Sequence, residues 1–373
     1  MLFRSTARLQ AVVGKTGLLA RVGGDEFAIL LTGGRSHELA VELAQAIVEV
    51  MSRPFESNEI RMVVSASVGV ALGSREQGID DLARFADVAM YSAKADGKNC
   101  WRVYMPSMDE GREVRKLLES ELRDDIEAGN IDVMFQPILD AREGMFGTVE
   151  ALARWTSPSQ GPVGPAIFVP IAEESGLIVR MGELVLRKAC IAARDWDVNL
   201  AVNISPAQFW HGTLVEDIIA ILRECNFPPE RLELEITEGY LLSRPELAGD
   251  VIARIRSHGI RVALDDFGTG FASIGYLRRF ALDRLKLDRS FVEMVDRDAE
   301  AGSVTKAVIG LSHALKLPIT AEGVETGAQA IFMTIAGCER LQGWHYGKAM
   351  TGAEISAMLA RRETDEVRRA ILS

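Results

Sequence analysis

Between residues 131 and 344 the chain alternates short apolar runs with helix-patterned stretches, and this repeat limits the fold more than any other feature. Eight runs read as strands: IDVMFQPIL, TVEALAR, NLAVNIS, LELEIT, RVALDD, DRLKLD, PITAEGV and RLQGW. Stretches such as DVIARIRSHG and VTKAVIGLSHALK, with apolar residues at helical spacing, separate most of them. Repeated βα units over roughly 250 residues point to an α/β fold, a TIM-type (β/α)8 barrel. An open doubly wound sheet is the alternative, but no Gly-rich phosphate loop follows the first strand.

The polar residues of these runs fall at comparable places. Glu150, Asn203, Glu235, Asp265, Asp266, Lys286, Glu322 and Gln342 each lie within or at the end of an apolar run. In a barrel the C-terminal strand ends converge on one face, where active sites are built. Glu150, Asn203, Glu235, Asp265, Asp266 and Glu322 would then share one bowl, and their mutual repulsion calls for cations. A single strand-end acid is usually a helix cap or a salt-bridge partner. Six oxygen donors and a lysine spread over the βα units are hard to explain that way. Oxygen-only donors suit hard ions, Mg²⁺ or Mn²⁺, and Ca²⁺ is able to occupy such a site. Two ions bridged by Asp265, with Asp266 on the second and Lys286 nearby, suit hydrolysis of a phosphodiester. Lys286 would either orient the attacking water or act as its base.

The net charge of −11 argues against binding to DNA or RNA polymers or to a membrane surface, both of which attract basic proteins. No run approaches the roughly 18 apolar residues of a membrane span. Cys100, Cys190, Cys225 and Cys338 follow no zinc spacing and are expected as free thiols in a reducing cytoplasm. Residues 1–105 read as a smaller α/β unit, with LLARVGGDEFAILLT as two strands around a Gly-Gly turn. HELAVELAQAIVEVM and LARFADVAMYSAKADGKN read as helices, MVVSASVGVAL as one buried strand and CWRVY as the last. Residues 106–128 read as a charged connector helix with Val114, Leu117, Leu118, Leu122 and Ile126 on one face. Packing against its own domain is the first use of that stripe, a homodimer contact the second. The barrel is expected over 129–365.

The motifs E150-A-L-A-R-W, V202-N-I-S, E235-I-T-E, D265-D-F-G-T-G, L285-K-L-D, A321-E-G-V-E and Q342-G closely resemble the EAL-domain phosphodiesterases that hydrolyse cyclic di-GMP. The resemblance runs from about Val114 to about Ala360, in order. It implies a modified TIM barrel, a two-metal site inhibited by Ca²⁺, and a linear pGpG product. It makes Glu150, Asn203, Glu235, Asp265, Asp266 and Glu322 the metal ligands, with Lys286 activating the water. Glu238 becomes the anchor of the loop after Asp266, a loop expected over Phe267 to Ser273 with Gly268 and Gly270 permitting its turns. Gln136, Arg154, Glu325 and Gln342 become substrate-side residues, an arginine being apt for a phosphate oxygen. Ala349 stands where the family usually has proline.

The first unit resembles the GGDEF diguanylate cyclases through R21-V-G-G-D-E-F and A89-M-Y-S-A-K-A-D-G-K-N. The motif Gly23, Gly24, Asp25, Glu26 and Phe27 is intact. The family's preceding strand and helix, which carry a metal-binding aspartate, are read as absent. Its inhibitory Arg-x-x-Asp falls on Gly14 and Gly17. No cyclase activity is therefore expected, though the unit is expected to bind GTP weakly. A longer native chain would reopen the bifunctional reading and allow membrane tethering of a protein otherwise expected in the cytoplasm. A cyclic di-GMP receptor without turnover is the remaining alternative, disfavoured because every ligand and the lysine are present.

Overall fold

A computed structural model of the chain describes residues 2–33, 36–57, 60–62, 64–73, 77–268 and 279–361. The expectations for Gly270 and Ser273, and the end of the expected barrel span beyond residue 361, lie outside the described residues. Two units are distinguished, Met1–Leu117 and Leu118–Ser373.

In the first unit, β1 (Gly17–Gly23) and β2 (Glu26–Leu31) form the expected antiparallel hairpin. Gly23 pairs with Glu26, so Gly24 and Asp25 alone make the turn, and Gly24 takes φ +52°. A positive φ at this place is the reason for glycine. Arg21 donates from Nε and Nη2 to the Gly24 carbonyl at 3.0 and 2.6 Å. No helix is expected ahead of this hairpin, yet Leu2–Val13 forms one. Leu9 and Val13, one turn apart, are buried with Leu43, Ile47, Met51 and Phe55, and that packing outweighs a polar-looking sequence. The run MVVSASVGVAL is not one strand. β3 (Phe55–Ser57) pairs with β4 (Ile60–Met62), while β5 (Val68–Val70) pairs in parallel with β6 (Trp101–Val103). Helices Ser36–Ser52 and Ile79–Ala95 complete the unit.

The second unit is the barrel. Its strands are β7 (Asp132–Asp140), β8 (Met145–Ser157), β10 (Asn199–Asn203), β11 (Leu232–Thr237), β12 (Arg261–Phe267), β13 (Arg284–Leu287), β14 (Ile319–Ala321) and β15 (Arg340–Gln342). A short β9 (Gly161–Val163), not anticipated, adds to the end of β8. The order β8-β10-β11-β12-β13-β14-β15-β7 closes through β7–β8, so all eight expected strands form one ring. The repeat is broken at β7, which runs antiparallel to both β8 and β15. A tight turn explains this: Asp140 Oδ1 accepts from the amides of Arg142 and Glu143 at 2.9 and 3.1 Å. A link this short allows a hairpin but not a parallel crossover.

Alternation along each strand then sorts the side chains. Val149, Leu200, Val202, Leu232, Leu234, Val262, Leu264, Leu285, Leu287, Ile319 and Leu341 face the helical layer and form its core, each almost wholly buried. Their neighbours Glu150, Asn203, Glu235, Asp265, Lys286, Glu322 and Gln342 consequently face the barrel interior.

Helix Ser107–Ala128 crosses the boundary between the units. Leu118, Leu122 and Ile126 pack with Trp155, Phe168 and Met181 of the barrel, and Trp155 Nε1 donates to Asp125 Oδ2 at 2.8 Å. Val114 and Leu117, from the same stripe, are exposed. Leu122 has no exposure, so Leu122→Ala should destabilise the barrel by about 2–5 kcal/mol. Denaturant unfolding followed by tryptophan fluorescence reads this directly. A loss below about 1 kcal/mol would mean that the helix does not belong to the barrel core.

Candidate active site

Strand register brings the inward polar residues to one mouth. Glu150 on β8 lies opposite Gln136 on β7 and Ala201 on β10, and Asn203 lies opposite Glu235 on β11. Asn203 Nδ2 donates to Glu150 Oε1 at 2.6 Å, and Gln342 Nε2 donates to Glu150 Oε2 at 2.5 Å. Gln342 Nε2 also reaches Gln136 Oε1 at 3.3 Å, and Gln136 Nε2 donates to the Gly347 carbonyl at 3.0 Å. The carboxylate of Glu150 is thus fixed on both oxygens by amides.

Asp265 and Asp266 present a stereochemical difficulty, since consecutive strand residues normally point to opposite faces. The register of β12 on β13 shifts between Leu264 and Phe267, and Asp266 adopts φ +55°. Such an irregularity re-aims a side chain, and aspartate tolerates the left-handed region better than most residues. As a result one carboxylate oxygen each from Asp265, Asp266 and Glu322 lie within 4.8 Å of one another. The Asp266 amide donates to Asp265 Oδ1 at 3.0 Å.

Lys286 lies between the two groups of acids and is 2% exposed. Its Nζ is 2.6 Å from Glu235 Oε2, 2.6 Å from Glu322 Oε1, 3.3 Å from Asp265 Oδ1 and 3.8 Å from Glu150 Oε1. Burial alone would lower its pKa, but Asp265, Glu150, Glu235 and Glu322 together push it well above the ordinary lysine value. One ammonium does not balance these acids. Burial and the neighbouring carboxylates raise Glu235 well above the ordinary range and Glu322 to about 8, despite Lys286. Burial, then Asp265 and Asp288, raises Asp266. Glu150 moves the other way: burial raises it, but Lys286 with the amides of Gln342 and Asn203 leaves it lowered. Glu235 Oε1 is buried without a hydrogen-bond partner among the described residues. A crowd of oxygen donors with excess negative charge and an unpartnered buried carboxylate oxygen fits divalent cations.

The remaining predicted residues lie along the strands and the segments that follow them. Arg154 follows Glu150 by four residues on β8 and donates to the Ala153 carbonyl at 2.8 Å. Glu325 is partly exposed and pairs with Arg289 Nη2 at 3.3 Å. Glu238 begins a short helix directly after Thr237, which lies opposite Asp265. It is 4% exposed, and neither carboxylate oxygen has a partner among the described residues. Asp288 and Arg289, just past β13, were not anticipated. Asp288 adds negative charge beside Asp266 and caps the Arg289–Phe291 turn through the Ser290 amide at 3.0 Å. The LKLDRS pattern, an acid followed two residues later by serine, is the signal that could have identified it. In the first unit Gly23, Gly24, Asp25 and Glu26 are exposed and Phe27 is half-buried against the small core.

Residues 119–349 match the EAL domain family, and residues 1–100 match the diguanylate cyclase GGDEF domain. The chain is 36% identical over 367 residues to the bifunctional diguanylate cyclase/cyclic di-GMP phosphodiesterase MucR of Pseudomonas aeruginosa, covering 96% of this chain and 53% of MucR. It is 36% identical over 340 residues to the cyclic di-GMP phosphodiesterase PdeR of Escherichia coli, covering 89% of this chain and 51% of PdeR. The chain spans about half the length of the curated relatives it matches. Among solved structures, the PaMucR phosphodiesterase in complex with c-di-GMP superposes with a TM-score of 0.61 at 37% identity, over 64% of this chain and 99% of that one. The EAL enzyme Bd1971 with cAMP and cyclic di-GMP bound gives 0.63 at 27%, over 67% and 70%.

Proposed function

Because the chain belongs to the EAL domain family, with a GGDEF-related segment ahead of its barrel, we propose that it hydrolyses cyclic di-GMP to linear pGpG. One observation carries this reading: Lys286, buried at the barrel mouth, touches acids from four different strands or strand ends, with Asp266 beside them. The metals are Mg²⁺ or Mn²⁺, held by Glu150, Asn203, Glu235, Asp265, Asp266 and Glu322, and Ca²⁺ inhibits. When bound, two such ions lower the pKa of a water and offset charge gathering on the phosphoryl oxygens.

The chain's own residues supply the rest. Without metal the surrounding acids favour Lys286 as an ammonium; beside bound cations it either orients the attacking water or acts as its base. Glu150 is held by Asn203 and Gln342, so its carboxylate loses little freedom in binding. Arg154 presents a guanidinium to the phosphate; Gln136, Glu325 and Gln342 contact the rest of the substrate. Glu238 positions Asp266 through the loop that follows it, and Glu238→Ala tests this by a weakened metal affinity.

The raised Glu322 and Glu235 give a pH signature. Near pH 7 the metal-free site retains protons, because Glu322 titrates at about 8, and a cation displaces them. Mg²⁺ binding should therefore release protons near neutral pH and tighten as pH rises. Calorimetry in two buffers of different ionisation enthalpy reads the release; identical heats in both would contradict it.

The first unit is proposed to bind GTP weakly, modulating the barrel through helix Ser107–Ala128. An unchanged hydrolysis rate in millimolar GTP would remove that role. We place the chain in the cytoplasm, with homodimerisation as an accessory property. Among the described residues no helix is long and apolar enough to cross a membrane.

A further inference from the structure

Beneath the metal-ligand layer the barrel holds a second polar layer of opposite charge. Stepping back two residues along a strand moves about 7 Å down the barrel while keeping the side chain inward. The step leads from Glu150 to Thr148, from Glu235 to Glu233, from Lys286 to Arg284, from Glu322 to Thr320 and from Gln342 to Arg340. Arg261, opposite Glu233 in register, joins them from the start of β12. Glu233 is 2% exposed and has three guanidinium groups around it: Arg340 at 3.2 Å, Arg284 at 3.7 Å and Arg261 at 3.9 Å.

One carboxylate cannot satisfy this set. Nε and Nη2 of Arg261, Nε and Nη1 of Arg284, and the hydroxyls of Thr148 and Thr320 are all buried without a hydrogen-bond partner among the described residues. Glu339, the other acid near Arg284, is engaged elsewhere, by the Ile319 amide at 2.8 Å, Arg142 at 3.6 Å and His313 at 3.5 Å. The carboxylates of the layer above offset the field but accept no hydrogen bond from these atoms. Burial, then the neighbouring Arg340, lowers Arg284 to about 10, although Glu233 and Glu339 oppose the shift. A buried donor without a partner is destabilising, and a bound acceptor would relieve that cost.

We propose that the barrel floor binds a single chloride-sized anion, held by Arg261 and Arg284. The excess of guanidinium over carboxylate selects an anion over water. Side chains fill the interior of an eight-stranded barrel, which argues for a small monatomic ion over a phosphate. The Arg261 side chain is 33% exposed, against 12% for Arg284 and 11% for Arg340, and gives the ion its route from solvent. Such an ion would tie together β12 and β13 below Asp265 and Lys286.

The deciding experiment replaces chloride by bromide in crystals of the full chain and measures anomalous scattering. An anomalous peak within contact distance of Arg261 and Arg284 is expected; a floor without one overturns the proposal. In solution, exchanging gluconate for chloride at constant ionic strength should raise the melting temperature saturably, by about 2–4 °C. Arg261→Met, whose side chain reaches solvent and is the safest of the three to remove, should abolish the rise. A rise of the same size in Arg261→Met, or none in the wild-type chain, counts against the floor site.

Discussion

Lys286→Ala is expected to reduce cyclic di-GMP turnover by about 10²–10⁴-fold, the range typical of a positioned proton-handling group. The reason is geometric. Nζ lies within 3.3 Å of acids on β11 and β12 and just past β14, so its one charge serves all three. A second consequence separates this residue from the others. Removing the ammonium leaves Glu235 and Glu322 buried against each other, and breaking a buried pair commonly costs about 3–5 kcal/mol. The metal-free variant should therefore melt well below the wild type, and Mg²⁺ should recover much of the difference. Single-turnover kinetics with circular dichroism checks both. Near-normal turnover would mean the site is misplaced.

Glu150→Ala should cause a loss of the same order in turnover, by a different route. The carboxylate accepts from Asn203 and Gln342, so its removal leaves two amide donors without their acceptor as well as a cation without a ligand. Metal affinity should fall with activity in Glu150→Ala, and raising Mn²⁺ should restore part of the rate. In Lys286→Ala, metal affinity should be retained or improved, because a competing cation is gone. Titration of both variants with Mn²⁺ distinguishes a ligand from a water-positioning group. Equal effects on affinity would contradict the assignment of roles.

The strands were legible because their outer faces are runs of Leu, Val and Ile, and the site because acids interrupt those runs at the same relative place. Glu235 and Lys286 could be identified in this way, each flanked by leucine or isoleucine that the structure buries. The irregularity at Asp265–Asp266 was not legible. Two adjacent acids suggest shared chemistry, but only the left-handed backbone of Asp266 and the shifted register explain how both carboxylates reach one mouth. The antiparallel course of β7 was also hidden, since an apolar run carries no direction and the tight turn after Asp140 determines it. In the first unit, Leu2–Val13 escaped notice because, among the described side chains, its apolar contacts come only from its last turns, through Leu9, Val12 and Val13.

The most direct test of the central claim is to incubate the purified chain with cyclic di-GMP and Mg²⁺ or Mn²⁺ and separate the nucleotides by chromatography. Linear pGpG accumulating with metal, and abolished by a chelator, is the predicted result. Binding of cyclic di-GMP with no pGpG at any metal concentration would contradict hydrolysis and leave a receptor in its place.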